Sequence, residues 1–557
     1  MLIHWGLLSP VEQNKAAISK IALSKTMILK ILNEYKKESL LAMVSGLLLT
    51  CSFPKINLGW TAWIAFIPLL YSLKDLSLKG SFYIGLVSGI IHYCTLLYWL
   101  VPTMHTYGNL PFWVGCLLLF LLSSYLGLYF AFFSAFLQKF CRTPLRLVIW
   151  FPAVFVSLEF IRSFLFSGFP WELIGYSQFE WISLIQLSDI TGVYGISFLI
   201  ALANGSLCVA LLHIGKQKWQ GINISKKIAS GSLATTALIM IIILAYGNIR
   251  IQSIDRMMKT ADRAKVSVIQ GNIDQSVKWN PEYQKNTILK YLNLSFSTLA
   301  DSPSLIVWPE TATPFYFSSP YTSSHLTQLI QEGVQKANIW LLFGSPSYER
   351  DGKSLHYYNT AYLLNPEGEQ IGNYNKVHLV PYGEYVPLKK WFPFIGKLVA
   401  QVGDFQSGIK GSTIVWNQHP IGVQICFEVI FPDLARAMAS NQAEIFINIT
   451  NDAWFGTSSG PFQHFSMTVF RAVENKRALV RSANTGISGF IDPVGRILET
   501  TSLTVDAART RTVPLMKTGT VYMKAGDLFS KVCLIAVFIF MIFCMIQHPQ
   551  NTIKPLN

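Results

Sequence analysis

Charged residues are scarce in this chain, at 13% of 557 positions, where an ordinary soluble domain carries about 25%. With 51% hydrophobic residues and a mean hydropathy of +0.37, that deficit excludes a fold solvated by water on all sides. Cysteine is also missing where it would be informative. Cys51, Cys94, Cys116, Cys141, Cys208, Cys533 and Cys544 lie in or beside apolar runs, which leaves Cys426 alone in the long polar segment 248–525. A disulfide framework is therefore excluded for that segment. Internal repeats, low-complexity tracts, a glycine-rich phosphate loop and the His/Cys spacing of a metal site are absent from the sequence. We expect neither a metal nor a cofactor.

Apolar residues, by contrast, come in blocks, near 39–54, 59–73, 81–101, 112–137, 146–166, 192–213, 231–247 and 531–547. Runs of about 17–25 such residues cross a bilayer as helices. The pattern predicts about eight spans, of which the first two are the shortest and are joined by "SFPKINLGW". Basic residues then orient them. Lys15, Lys20, Lys25, Lys30, Lys36, Lys37, Lys74, Lys79, Lys139, Arg142, Arg146, Lys216, Lys218, Lys226 and Lys227 fall before span one and in alternate loops. Only Glu12, Glu34, Glu38 and Asp75 oppose them there, and the intervening loop "VPTMHTYGNLP" has no Lys or Arg. Short basic loops stay cytoplasmic. Most of the net charge of +15 is thus a topology signal, and no nucleic-acid partner is expected. We expect a cytoplasmic lysine-rich segment 1–38, a bundle 39–247, an external domain 248–525, and a last span with a cytoplasmic tail at 526–557. The N-terminus lacks the apolar core and small-residue site of a cleaved leader, so span one is expected to act as an uncleaved anchor.

Segment 248–525 reads as an α/β domain. Candidate strands are 265–273, 304–310, 339–347, 419–428, 443–452 and 488–500, with helices at 281–299, 322–337, 429–440 and 461–476. Three stretches place a reactive group at or near the end of an apolar run. "LIVWPE" ends in Glu310, "NYNKVHLVPYGEYVP" carries Lys376 and Glu384, and "GVQICFE" carries Cys426 and Glu428. A carboxylate, an amine and a thiol form a coherent nucleophilic set: the acid takes the thiol's proton, and the ammonium stabilises the thiolate and the oxyanion of an attacked carbonyl. Each residue also has a plainer reading. A lone buried cysteine is usually an inert small hydrophobe, Glu310 can cap a helix, and an isolated lysine is usually solvated.

Taken together, Glu310 in "WPE", Lys376 in "YNKVHLVPYGEYVP" and Cys426 in "CFE" resemble the nitrilase, or carbon–nitrogen hydrolase, superfamily. That resemblance implies an αββα sandwich with a Glu–Lys–Cys triad. Insertion of such a domain between the seventh and eighth spans resembles the layout of the bacterial apolipoprotein N-acyltransferase family. "QGNIDQSVKW", "GFPWELIGYSQ", "NDAWFG", "HFSM" and "NTGISG" add to the likeness. The implied reaction is a two-step acyl transfer in which Cys426 takes a fatty chain from a membrane phospholipid and hands it to the α-amine of a diacylated apolipoprotein N-terminus. The implied place is the bacterial inner membrane, with the catalytic domain periplasmic and facing the lipid bilayer. Glu384, Glu428, Trp279 and Phe427 are implied to support the triad or the substrates; read from the residues alone, Trp279 is equally an anchor at the bilayer boundary, and Glu384 and Glu428 are ordinary ion-pair or backbone-bonding residues. Phe427 stands where that family commonly has tyrosine, so no hydroxyl is available there.

The competing reading is a membrane-tethered amidase in which water resolves the acyl-enzyme. His464 invites a Cys/His assignment, but no protease spacing accompanies it and a structural role is expected. Glu159 and Arg162, three apart on one helix face, are expected either to pair or to serve function, since such residues are costly in lipid. Trp171 and Tyr176 read as residues of an external loop near the lipid entrance or as members of an aromatic belt at the membrane boundary.

Overall fold

Five helices in the computed structural model are long and apolar enough to cross a membrane: Phe112–Phe140, Pro144–Arg162, Tyr194–Ile214, Lys226–Thr260 and Leu528–Gln547. A sixth candidate is the pair Leu78–Leu96 and Leu100–Thr106, bent by 51° at their junction. The structure describes residues 35–318, 324–352, 354–385 and 404–547. Nearly all of the predicted lysine-rich segment and most of the C-terminal tail lie outside them. The first two predicted spans are shorter than a crossing. Lys36–Cys51 has 16 residues, and 59–73 divides into a 3-10 turn, Gly59–Trp63, and the seven-residue helix Ile67–Leu73. Pro68 in the first turn of that second helix accounts for the division, because proline starts a helix far better than it continues one. The described residues therefore hold five single-helix candidates and one bent one, and the expected count of about eight is not confirmed among them.

Polar caps set the helix starts. Ser77 accepts from the amide of Gly80 at 3.1 Å, and Thr143 from that of Arg146 at 3.2 Å. Small residues set the packing distance: a Cβ added to Gly89 would stand 2.6 Å from the Cα of Gly127 on the neighbouring helix, the close backbone approach that glycine permits in membrane bundles. Helix Lys226–Thr260 has 35 residues and at 1.5 Å each outreaches a hydrocarbon core of about 30 Å. The expected boundary at 247/248 falls inside this continuous helix. Its far half is tied down by Arg250–Asp189 at 2.6 Å and Asp255–Arg496 at 2.7 Å.

Two six-stranded sheets follow. The first has the order β12-β1-β2-β3-β4-β5, with β1 Arg263–Gln270, β2 Leu305–Val307, β3 Trp340–Asp351, β4 Ser354–Leu364, β5 Gln370–Asn375 and β12 Ala507–Pro514. The second has the order β11-β10-β9-β8-β7-β6, with β6 Ile414–Trp416, β7 His419–Ile425, β8 Ile445–Thr450, β9 Ala478–Ala483, β10 Gly489–Ile491 and β11 Ile497–Thr500. Each sheet has three parallel central strands, β1–β3 and β7–β9, with antiparallel strands outside them. Period-two alternation divides the first sheet's side chains. Leu305, Val307, Leu342 and Leu363 join the main core, whereas Ile306, Trp308, Phe343 and Tyr362 join a second cluster with Ile288 and Leu292 of helix Pro281–Ser297 and Ile330 of helix Ser324–Ala337. Helices Pro432–Ser440 and Gly460–Asn475 cover the second sheet, which completes an αββα sandwich.

Helix Gly460–Asn475 is the joint between the sandwich and the bundle. Gln463 receives the indole N–H of Trp99 (3.0 Å) and of Trp171 (2.9 Å) and donates to the Pro54 carbonyl at 3.1 Å, while Arg471 donates to the hydroxyl of Tyr176 at 2.9 Å. Trp171 and Tyr176 are consequently buried connectors, not belt residues. Glu159 and Arg162 both turn to that same connecting stretch. Glu159 accepts the Ile174 amide at 2.8 Å, and Arg162 donates to the Trp171 carbonyl at 3.4 Å.

Candidate active site

The reactive groups leave the strands at their carboxyl ends, where open α/β sheets present ligands. Glu310 follows β2, Cys426 follows β7, Asn451 and Asp452 follow β8, and Lys376 follows the edge strand β5. Glu310, Lys376, Glu384, Cys426 and Glu428 are all buried. Lys376 Nζ lies 2.9 Å from Glu384 Oε1 and 3.4 Å from Glu310 Oε1. Asn359 Nδ2 donates to the same two oxygens, at 2.9 and 2.8 Å, and the Asn451 amide donates to Glu310 Oε2 at 3.0 Å. Both carboxylates are thereby aimed. Burial opposes the charge on Lys376, but Glu384, Glu310 and the nearby Cys426 outweigh it and raise its pKa above the ordinary lysine value. Burial pushes the Cys426 thiol up, and Glu310 adds to this while Lys376 counters it. The resting thiol is neutral, so it needs a base at the moment of attack.

Cys426 has φ +53°, in the left-handed region that costs an L-residue about 1–2 kcal/mol. The turn Cys426–Ile430 throws the thiol off the strand, and two groups hold it there. Glu428 accepts the amide of Ile425 (2.6 Å) through one oxygen, and through the other the amides of Val377 (2.6 Å) and His378 (3.2 Å) and the Tyr374 hydroxyl (3.0 Å). One carboxyl group thus fastens the cysteine elbow to the chain just past Lys376. Burial raises the Glu428 pKa to about 7. His464, the second holder, places Nε2 3.2 Å from the Cys426 carbonyl and Nδ1 2.9 Å from Asp452. It contacts the cysteine's backbone, in keeping with a structural role, and burial with the neighbouring Arg481 lowers its pKa. Arg481 pairs with Asp452 at 2.7 Å.

Of the other anticipated residues, Phe427 packs its ring 5.3 Å from Phe431, 6.0 Å from His378 and 6.4 Å from Trp171, at the joint with the bundle. Trp279 is half-buried. Sequence reading gave no role to Lys278, Asn359, Asn451, Asp452 and Arg481, although Lys278 lies in "QGNIDQSVKW" and Asn451 and Asp452 open "NDAWFG". Lys278 had a visible signal, since it adjoins Trp279 in "QSVKW"; Asn359 and Arg481 lie within strands and had none. Gly344 on β3 was equally unremarkable, yet a Cβ there would stand 2.5 Å from the Thr311 nitrogen and 2.7 Å from the Glu310 Cα. Gly344→Ala is therefore expected to displace Glu310 and to cost about 1–3 kcal/mol, read as a lowered unfolding temperature.

Residues 265–521 match the carbon–nitrogen hydrolase family model, and residues 45–206 match that of the apolipoprotein N-acyltransferase N-terminal domain. The chain is 42% identical over 500 residues to an apolipoprotein N-acyltransferase of Geobacter metallireducens, covering 89% of this chain and 93% of that one. It is 31% identical over 476 residues to one of Rickettsia typhi, covering 83% and 88%. Among solved structures it overlaps Saccharomyces cerevisiae Nit3, of the nitrilase superfamily, at 22% identity and a TM-score of 0.36, over 45% of this chain and 90% of that one.

Proposed function

We infer the reaction from one premise: the chain belongs to the apolipoprotein N-acyltransferase family. It is an acyltransferase. The donor is a membrane phospholipid, and the acceptor is the α-amine of the diacylglyceryl-cysteine at a lipoprotein's N-terminus. The observation that carries this reading is the buried Glu310–Lys376–Glu384 cluster beside a neutral thiol on a strained turn, in a domain seated on apolar helices.

In the first step Glu310 takes the Sγ proton as sulfur adds to the ester carbonyl, and Lys376 faces the oxygen that becomes negative. The ester C–O bond breaks, Glu310 returns the proton to the leaving glycerol oxygen, and a lysophospholipid departs from a thioester on Cys426. In the second step the α-amine adds to the thioester, Glu310 takes its surplus proton, the C–S bond breaks, and an amide is released as the thiol is reprotonated. The order is ping-pong. Glu384 orients Lys376, Asn359 holds the Glu310 and Glu384 carboxylates, Glu428 fixes the elbow, and Trp279 and Phe427 border the approach of substrate. The bundle lies in a bacterial inner membrane with the α/β domain on the periplasmic side, a placement supported by the basic loops of alternate connections.

The test supplies the purified chain with phospholipid vesicles and a synthetic diacylated lipopeptide. Triacylated peptide and lysophospholipid are expected in equal amounts, and with peptide omitted an acyl mass is expected on the fragment holding Cys426. Free fatty acid without peptide acylation would make the protein a hydrolase instead.

A further inference from the structure

Lys278 is buried to 1% exposure against Glu310 of the triad. It forms no ion pair among the described residues; its Nζ donates to the backbone carbonyl of Glu310 at 3.3 Å. Its counterpart Lys376 is held between two carboxylates. Asp452 is paired with Arg481, and the charge on Glu428 is opposed by burial, which raises its pKa to about 7, with its oxygens on backbone amides and the Tyr374 hydroxyl. That leaves Glu310 and Glu384 against Lys376 and Lys278. With both lysines charged this group of four is neutral. With Lys376 alone it carries one surplus negative charge, the condition least tolerant of a thiolate or an oxyanion in a dry site.

We propose that Lys278 is a positioning residue of the acyl-transfer site, whose ammonium balances the charge of Glu310 so that Cys426 can become negative, while its bond to the Glu310 carbonyl holds the base in place. This rests on the acyl-transfer reading for its purpose but on the charge count around Glu310 for its substance. The sequence fits the role. Lys278 belongs to an arm, residues 272–280, that is fastened on both sides of the site. Asn484 receives the Ile273 amide at 2.8 Å, and Gln275 receives the side-chain amide of Asn451 at 2.8 Å, the residue whose backbone amide binds Glu310. Burial, set against the fields of Glu310 and Cys426, lowers the Lys278 pKa to about 8. The ammonium is present at neutral pH and is lost a little above it.

The test alkylates the full chain in detergent with iodoacetamide from pH 6.5 to 9.5, with no lipid present, and follows the Cys426 fragment by mass spectrometry. Glu310, Lys376 and Asp452 act on the thiol and are left intact, so that only the field which Lys278 and Cys426 share is altered. Lys278→Met is expected to slow alkylation at pH 7 by about tenfold, the equivalent of one pKa unit. The deficit should shrink above pH 8, where the wild-type lysine itself loses its proton, and Lys278→Arg should stay near the wild-type rate. Equal rates for wild type and Lys278→Met at pH 7, a deficit constant across the range, or an arginine variant as slow as the methionine one would each overturn the proposal. Thermal unfolding in the same detergent reports whether each variant folds, and Lys278→Gln replaces the methionine variant if that one does not. Since alkylation needs no acyl donor, a chain that alkylates as expected but fails to acylate peptide would sink the acyl-transfer reading and leave this one standing.

Discussion

Replacement of Cys426 by alanine is expected to lower peptide acylation by about 10³–10⁶-fold, the range seen when a covalent nucleophile is removed. The acyl adduct on fragment 422–436 should vanish with it. Serine should do little better than alanine. Its hydroxyl would occupy the same turn at φ +53°, but burial already lifts the thiol's pKa, and an alcohol begins far higher. Glu310→Gln isolates the base. The amide keeps an oxygen for Asn359 and Lys376 but accepts no proton, so a loss of about 10²–10⁴-fold is expected with Cys426 still present. The comparison is informative because both variants keep Lys376. If Glu310→Gln acylates peptide at the wild-type rate, the proton leaves the thiol by another route, and the mechanism above is wrong.

Arg481→Met carries the largest expected cost in stability. Asp452 is wholly buried and accepts from Arg481 at 2.7 Å, from His464 at 2.9 Å and from the Thr450 hydroxyl at 3.0 Å. Taking the guanidinium away strands that carboxylate in the core, at about 3–5 kcal/mol, read as a large drop in unfolding temperature. Arg481→Met combined with Asp452→Leu should recover most of the loss, since removing both charges leaves no uncompensated one. The pH dependence has a definite sign. Burial opposes the Asp452 charge, but Arg481 and His464 outweigh it and hold the carboxyl below its ordinary value of 3.8. The stabilisation it brings is complete above that ordinary value and fades as acid carries the pH down through the folded-state pKa. In the single variant this acid-labile contribution should shrink, since only His464 remains to hold the charge. A single variant as stable as wild type, or one whose acid transition is unchanged, would remove the pair from any account of the fold.

That pair also marks where sequence reading stops. The apolar runs and the basic loops between them were legible because hydropathy and charge are properties of a segment by itself. Glu310 and Cys426 were legible because each closes or follows an apolar run, and Lys376 because its stretch joins theirs in one family resemblance; the strand Gln370–Asn375 before it was not foreseen. Strand β9 was not foreseen, because Arg481 interrupts an apolar stretch and is made acceptable there by Asp452, 29 residues away along the chain, with Asn448 and the Ile487 carbonyl. β12 was missed for the opposite reason, since it is an edge strand whose outward Arg509 and Arg511 give it the look of a loop. Lys278 read as an ordinary lysine beside a tryptophan.

The sequence by itself determined that the chain holds membrane-length apolar helices and one polar domain with a single thiol, because these follow from composition and period alone. Only the tertiary structure decided what surrounds that thiol. Burial, neutralisation of charge and the holding of a strained turn depend on residues brought from many separate strands, loops and a helix, and no local pattern encodes which of them will meet.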